Sequence, residues 1–344
     1  SQAENNNDKI WIGRSLRKIG NTYYGNGFFD LADIDSALFY YNRSLDVNLE
    51  IGDLYGMAKS INNIGNIHFD RGQYGKAIDS FNRSLNLYYQ VENHHGVGMS
   101  YSNLGRTFSK IGDNEKAIDY HNRAFNKLKI YGSWREMIAS LHHLSSIYLD
   151  KGDLDQAEHF KQRFLKLIPK ISDKIWHISG GIEMGTISMM KGNLNQALDY
   201  YTKSIQKAEE FDDSFVLSFL YNKIGKIYFQ REELLQSFGY FEKSLSFIEK
   251  LESQLGKIML EDTDLGRTKF ETTIYLNLIN KKIGEYYNLE NIHPFLQNYT
   301  IYKFGGYEPE YHILYRLFEL LEDTSYLETA YNQIQEKADN LEPD

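Results

Sequence analysis

Small and apolar residues fall on one helical face at Met57, Ile61, Ile64, Gly65 and His68. Gly72-Gln73 then interrupts the pattern, as a Gly just past a helix end does. The same period resumes at Ala77, Ile78, Phe81, Leu85 and Tyr88. Three-to-four-residue spacing of this kind predicts two amphipathic helices joined by a tight turn. The unit returns at a step of 40 residues. Gly65 has counterparts at Gly25, Gly105, Ser145, Gly185 and Gly225, and Ala77 at Ala37, Ala117, Ala157, Ala197 and Ser237. Gly72 has counterparts at Gly112, Gly152 and Gly192, while Glu232 and Ala32 replace it in the sixth and first units. Two amphipathic helices cannot bury both apolar faces against each other alone, so neighbouring hairpins must stack. A helix-interior Gly costs about 1 kcal/mol relative to Ala, so its return at one register predicts close helix approach there.

Six units are expected over residues 11–251, behind a polar N-terminal tail at residues 1–10 read as disordered. Turn and cap chemistry separates the units at Gly52-Asp53, Asn93-His94, Gly132-Ser133, Ser172-Asp173 and Asp212-Asp213. A connector is expected at residues 252–267, then two degenerate capping hairpins at residues 268–341 and a tail at 342–344. Within that cap the pattern predicts helices from Thr268 to Tyr287 and Pro294 to Tyr302, and a last hairpin from Glu310 to Leu341. Phe318, Leu321, Ala330 and Ile334 fit the repeat there.

The offsets Gly65, His68, Ala77, Phe81, Ser84 return as Gly105, Phe108, Ala117, His121, Ala124 and as Gly225, Tyr228, Ser237, Phe241, Ser244. This set resembles the tetratricopeptide repeat (TPR), in the long-helix form of Leu-Gly-Asn-type adaptors, kinesin light chains and bacterial peptide-sensing proteins. The resemblance implies an all-α fold, a right-handed α-solenoid with the first helix of each hairpin lining a concave groove. It also implies a peptide or partner segment bound there, three before, two before, one after and five after the recurring Gly. On this chain those positions give Asn62, Asn63 and Asn66, then Asn103, Arg106 and Lys110, then His142, and finally Asn222 and Lys226. Asn is a poor helix former because its amide competes for the backbone. A carboxamide both donates and accepts, so it suits either an extended peptide backbone or a bridge between hairpins. Arg106, Lys110 and Lys226 suit an acidic segment, although the family's carboxylate clamp is not intact.

Composition narrows the chemistry. The chain of 344 residues has no Cys, which excludes disulfides, thiolate metal sites and Cys nucleophiles. A net charge of −9 argues against nucleic-acid binding. No apolar run reaches the ~20 residues of a membrane span, and a cytoplasmic location is expected. Asn42-Arg43-Ser44 and Asn82-Arg83-Ser84 match a glycosylation pattern but fall within predicted helices. Arg43, Arg83, Arg123, Arg163, Lys203 and Lys243 form a basic ladder, yet Asp79, Asp119 and Asp199 precede three of them by four residues, the spacing of helix salt bridges. His94-His95 and His142-His143 are adjacent pairs whose side chains diverge on a helix. Gly96-Val97-Gly98 lacks a nucleotide fingerprint's third Gly, and Asp262-Thr263-Asp264 departs from a calcium loop at Gly266. No catalytic constellation, cofactor or metal is called for. The expected function is a non-catalytic protein-interaction module. The alternative is the regulatory arm of a larger signalling enzyme, a cyclase, kinase or protease, with its catalytic domain beyond Asp344.

Overall fold

The computed structural model describes residues 2–26, 31–255, 263–289 and 311–339. Fifteen α-helices make up the described residues, with no strand among them. They run in order α1 (Gln2–Asn26), α2 (Leu31–Ile51), α3 (Leu54–Asp70), α4 (Tyr74–Gln90), α5 (His94–Lys110), α6 (Asn114–Lys129) and α7 (Trp134–Asp150). Then come α8 (Leu154–Leu167), α9 (Lys174–Met190), α10 (Leu194–Glu210), α11 (Ser214–Gln230), α12 (Leu234–Leu255), α13 (Asp264–Ile283), α14 (Tyr311–Leu321) and α15 (Thr324–Asp339). The chain divides into two compact units, residues 1–148 with 166–172, and residues 149–165 with 173–344.

In the first unit, α1 packs on α2, α3 on α4 and α5 on α6, and each hairpin also packs on the next. The turn after α3 shows why the sequence breaks there. Gly72 sits at φ +69°, the amide of Gln73 donates to the His68 carbonyl at 2.8 Å, and that of Gly72 donates to the Phe69 carbonyl at 2.9 Å. This left-handed cap satisfies carbonyls that a helix end leaves open. The first helices of the second and third hairpins, α3 and α5, start on short polar side chains. Asp53 accepts from the Gly56 amide at 2.9 Å, and Asn93 accepts from the Gly96 amide at 2.7 Å. Each such cap is worth about 1 kcal/mol.

The recurring helix Gly is explained by contact. A Cβ on Gly65 would lie 2.7 Å from the Phe81 ring, so the ring of α4 packs onto the bare backbone of α3. His121 on Gly105, Tyr201 on Gly185 and Phe241 on Gly225 repeat the arrangement. Phe81 is fully buried, a contribution of about 1.5–3 kcal/mol. The first hairpin departs from the expected register. Tyr41 packs on Gly20, and Gly25 faces open space. Gly65 and Phe81 are 16 residues apart, but Gly20 and Tyr41 are 21 apart (81 − 65 against 41 − 20). The first hairpin thus carries five extra residues between its contact points, and the 40-residue step misplaces its Gly. Helix α1 also takes in residues 2–10, which their polar composition reads as a disordered tail. They extend an amphipathic helix that continues to Asn26.

In the second unit α9 packs on α10, α11 on α12, α12 on α13, and α14 on α15. Helix α13 starts at Asp264 and ends at Ile283, four residues earlier at each end than its apolar pattern suggests. Thr263 caps its start, and Gly284 at φ +79° closes it. The predicted helix from Pro294 to Tyr302 and residues 256–262 of the predicted connector lie outside the described residues. Helices α14 and α15 form the last described hairpin.

Candidate functional site

Helices α1, α3 and α5 are the first helices of successive hairpins, so residues about one repeat apart on them become neighbours. In the first unit those neighbours are polar and bonded to one another. Asn103 donates through Nδ2 to Asn62 Oδ1 at 3.0 Å. Arg106 donates through Nη2 to Asn66 Oδ1 at 3.3 Å, and its guanidinium carbon lies 4.2 Å from the Phe69 ring centre. Asn63 donates to Asn21 Oδ1 at 2.9 Å, an oxygen that also accepts from the Tyr41 hydroxyl at 2.9 Å. The Tyr24 hydroxyl donates to Asp70 Oδ2 at 2.6 Å. The predicted residues therefore converge into a row of inter-hairpin rungs, which is the bridging role open to an Asn at these positions. Asn62 is only 4 % exposed, so its amide belongs to the rung rather than to a surface. Asn63, Asn66, Asn103 and Arg106 are half-buried, and Lys110 is exposed in the last turn of α5.

Beneath this row lies a group whose significance the sequence pattern did not signal. His121 is fully buried, with neither ring nitrogen hydrogen-bonded among the described residues. Its ring stacks on His143 at 4.9 Å, and His143 lies 5.4 Å from His142. Burial, then the charge of Arg106 and then His142 push its pKa down to about 3, so the imidazole is neutral at physiological pH. Arg106 Nε is likewise buried without a partner among the described residues. Burial lowers the Arg106 pKa, while Tyr24 and Asp70 act in the opposite direction. The available sequence signal was a polar residue where other repeats carry a ring: Tyr41, Phe81, Tyr201 and Phe241 occupy the positions of His121.

The second unit treats its predicted residues differently. Asn222 is 1 % exposed and donates through Nδ2 to Thr272 Oγ1 on α13 at 2.9 Å. Lys226, 7 % exposed, donates to Glu271 Oε2 at 2.6 Å, and Arg267 Nε approaches the other oxygen at 3.3 Å. Both residues are covered by α13, so their assignment as partner contacts is corrected: they hold the next helix in place. Lys161 on α8 has a fully buried side chain, paired with Glu183 of α9, and burial lowers its pKa against the pull of that carboxylate. The helix salt-bridge reading of the basic ladder holds at Arg123–Asp119, 2.8 Å, and at Lys203–Asp199, 2.7 Å.

Tetratricopeptide repeat models match residues 56–130 and 138–171. Stacked hairpins, a ring packed on a helix glycine and these matches define the class: the chain carries tetratricopeptide repeats. No curated protein matches it. Among solved structures, a Rap protein complexed with Competence and Sporulation Factor is 13 % identical, with 98 % of each chain covered and a TM-score of 0.58. A Signal Transduction ATPase with Numerous Domains (STAND) protein with a tetratricopeptide repeat sensor, from Pyrococcus horikoshii, is 15 % identical with a TM-score of 0.62. There the match covers 96 % of this chain and 47 % of that one. At such identities the likeness is one of fold. Among the described residues, no helix is long and apolar enough to cross a membrane.

Proposed function

We propose that this chain is a non-catalytic interaction module. The polar row of Asn63, Asn66, Asn103 and Arg106, with Lys110 at its end, receives a peptide or partner segment. TPR repeats indicate protein interaction in general. The observation supporting this row is its chemistry: half-buried amides and a guanidinium on adjacent helices, one rung as long as 3.3 Å, and a buried Arg106 Nε without a partner among the described residues. A rung between neutral amides contributes only about 0.5–1.5 kcal/mol net. A peptide backbone that supplies equivalent donors and acceptors can replace it at small cost. The complex of the Rap protein with Competence and Sporulation Factor supports ligand binding by stacked hairpins of this length. The alternative, a regulatory arm of a larger signalling enzyme, draws on the STAND protein, whose repeats are named a sensor and of which this chain covers 47 %.

The test is affinity capture with the wild-type chain and with Asn66→Ala, Asn103→Ala and Arg106→Ala combined, followed by titration of the captured partner. The reading expects binding to fall more than about tenfold in the triple variant. Unchanged binding with an intact helical spectrum overturns it.

A further inference from the structure

The first unit holds a cavity of about 450 Å³ where α1, the end of α2 and the start of α3 meet. Its floor is Asn48, whose amide oxygen sits where a Cβ on Gly13 or Gly56 would fall, 2.7 and 2.5 Å away. Four cations line it: Arg14, Arg17 and Lys18 from α1 and Lys59 from α3. Among the described residues, none of their side chains makes an ion pair or a hydrogen bond. Asp53 is the one carboxylate in the lining, and it is engaged as the cap of α3. Two rings complete the lining. Tyr55 carries the Lys59 ammonium 4.2 Å from its centre. Trp11 is 64 % exposed, with the Arg14 guanidinium 5.8 Å from its ring. Arg17 is half-buried.

Four cations without an ion pair among the described residues, gathered at one cavity of a chain with net charge −9, form a local reversal of sign. Like charges held together cost free energy unless an anion joins them. The volume lies in the range of small-ligand cavities, ~300–1,000 Å³. An acidic peptide needs one residue for each negative charge, whereas a polyphosphate places its charges on adjacent centres and fits more charge into the same space. Guanidinium and ammonium groups suit phosphate oxygens, and an exposed indole offers a stacking surface for a planar base. We propose that this cavity binds a nucleoside polyphosphate, with Arg14, Lys18 and Lys59 on the phosphates and Trp11 against the base. The site is separate from the polar partner row and stands whether or not that row binds a peptide.

The probe is ATP, titrated calorimetrically into the full chain at low salt without divalent cations, beside tripolyphosphate, adenosine and an oligoglutamate peptide. Lys18→Glu combined with Lys59→Glu is the variant, and its circular dichroism checks the fold; both side chains lie outside the core. The proposal expects ATP to bind, tripolyphosphate to bind more weakly and adenosine to give no heat. The double variant should lose about tenfold or more in ATP affinity, and added salt should weaken binding. Trp11→Ala should weaken ATP while leaving tripolyphosphate unchanged. Equal ATP affinity in the folded double variant overturns the site. Absence of ATP binding overturns it as well. Oligoglutamate binding more tightly than ATP overturns the ligand class.

Discussion

The two units solve one problem with different chemistry. Where first helices meet in the first unit, two rungs join neutral amides, Asn62 with Asn103 and Asn63 with Asn21, and a third joins Arg106 to the Asn66 amide. In the second unit buried ion pairs, Lys161–Glu183 and Lys226–Glu271, join helices beside the neutral Asn222–Thr272 bond. An amide rung is inexpensive to open, because each group finds water or another amide when it separates. A buried ion pair is not, because separation strands a charge in a poorly solvated place. The first unit is therefore the one whose amide rungs open at lower cost, and the second is the one whose register is locked.

The sharpest way to break that contrast is to remove one buried charge. Lys226→Met leaves Glu271 without its closest cation, with Arg267 3.3 Å away, and stability of the second unit should fall by about 3–5 kcal/mol. Lys226→Met combined with Glu271→Leu should recover most of the loss, because a well-packed apolar pair of similar volume is close to neutral. Asn62→Ala in the first unit should cost about 1–3 kcal/mol, the penalty for leaving Asn103 short of a partner. Urea unfolding of the four proteins measures all of this. A loss at Asn62 as large as the loss at Lys226 would erase the distinction.

His121 is where the first unit resembles the second, since it too buries a titratable group, but in its neutral form. Its folded pKa, about 3, lies below the unfolded value near 6.5. Between those values the unfolded chain binds the extra proton, so stability is lost as pH falls from about 6.5 toward 3. Each pH unit in that window is worth up to about 1.4 kcal/mol. His121→Phe supplies the ring that Phe81 provides one repeat earlier and removes the titration. The difference in stability between variant and wild type should grow by about 2–3 kcal/mol from pH 6.5 to 4.5. A constant difference across that range would show that the imidazole is hydrated in the folded state.

Gly65→Ala tests the packing that both units share. The added methyl would lie 2.7 Å from the Phe81 ring, and the cost should be about 1–3 kcal/mol. Phe81→Leu in the same chain should reduce the extra loss caused by the methyl, read from the double-mutant cycle in urea.

The repeat itself was legible because a glycine facing a ring recurs at the same separation in four hairpins, Gly65–Phe81, Gly105–His121, Gly185–Tyr201 and Gly225–Phe241. Register was legible only where loop lengths stay equal: five extra residues put Gly20, not Gly25, against Tyr41. The candidate row was legible as a set of positions, since Asn66, Asn103 and Arg106 do come together. Its occupancy was not. Whether Asn222 and Lys226 face a partner or the next helix depends on Thr272 and Glu271, which arrive 50 and 45 residues later, outside the 40-residue step. Nor does a repeat template separate His121 from a ring. Its consequence comes from the burial and neighbouring charge it acquires when the hairpins stack.

The smallest effect concerns a turn. Glu232 stands where Gly72, Gly112, Gly152 and Gly192 stand in other units, and it adopts the same left-handed conformation at φ +62°. Its amide donates to the Phe229 carbonyl at 3.0 Å, and the Glu233 amide donates to the Tyr228 carbonyl at 3.0 Å, so the cap forms in spite of the side chain. A Cβ in this region costs roughly 1–2 kcal/mol relative to the right-handed well. Gly avoids that strain but brings a more flexible unfolded chain, which returns part of the gain. Glu232→Gly should therefore stabilise the second unit by up to about 1 kcal/mol, seen as a higher urea midpoint with unchanged slope. A lower midpoint would mean that the Glu232 side chain contributes more to the turn than its backbone strain removes.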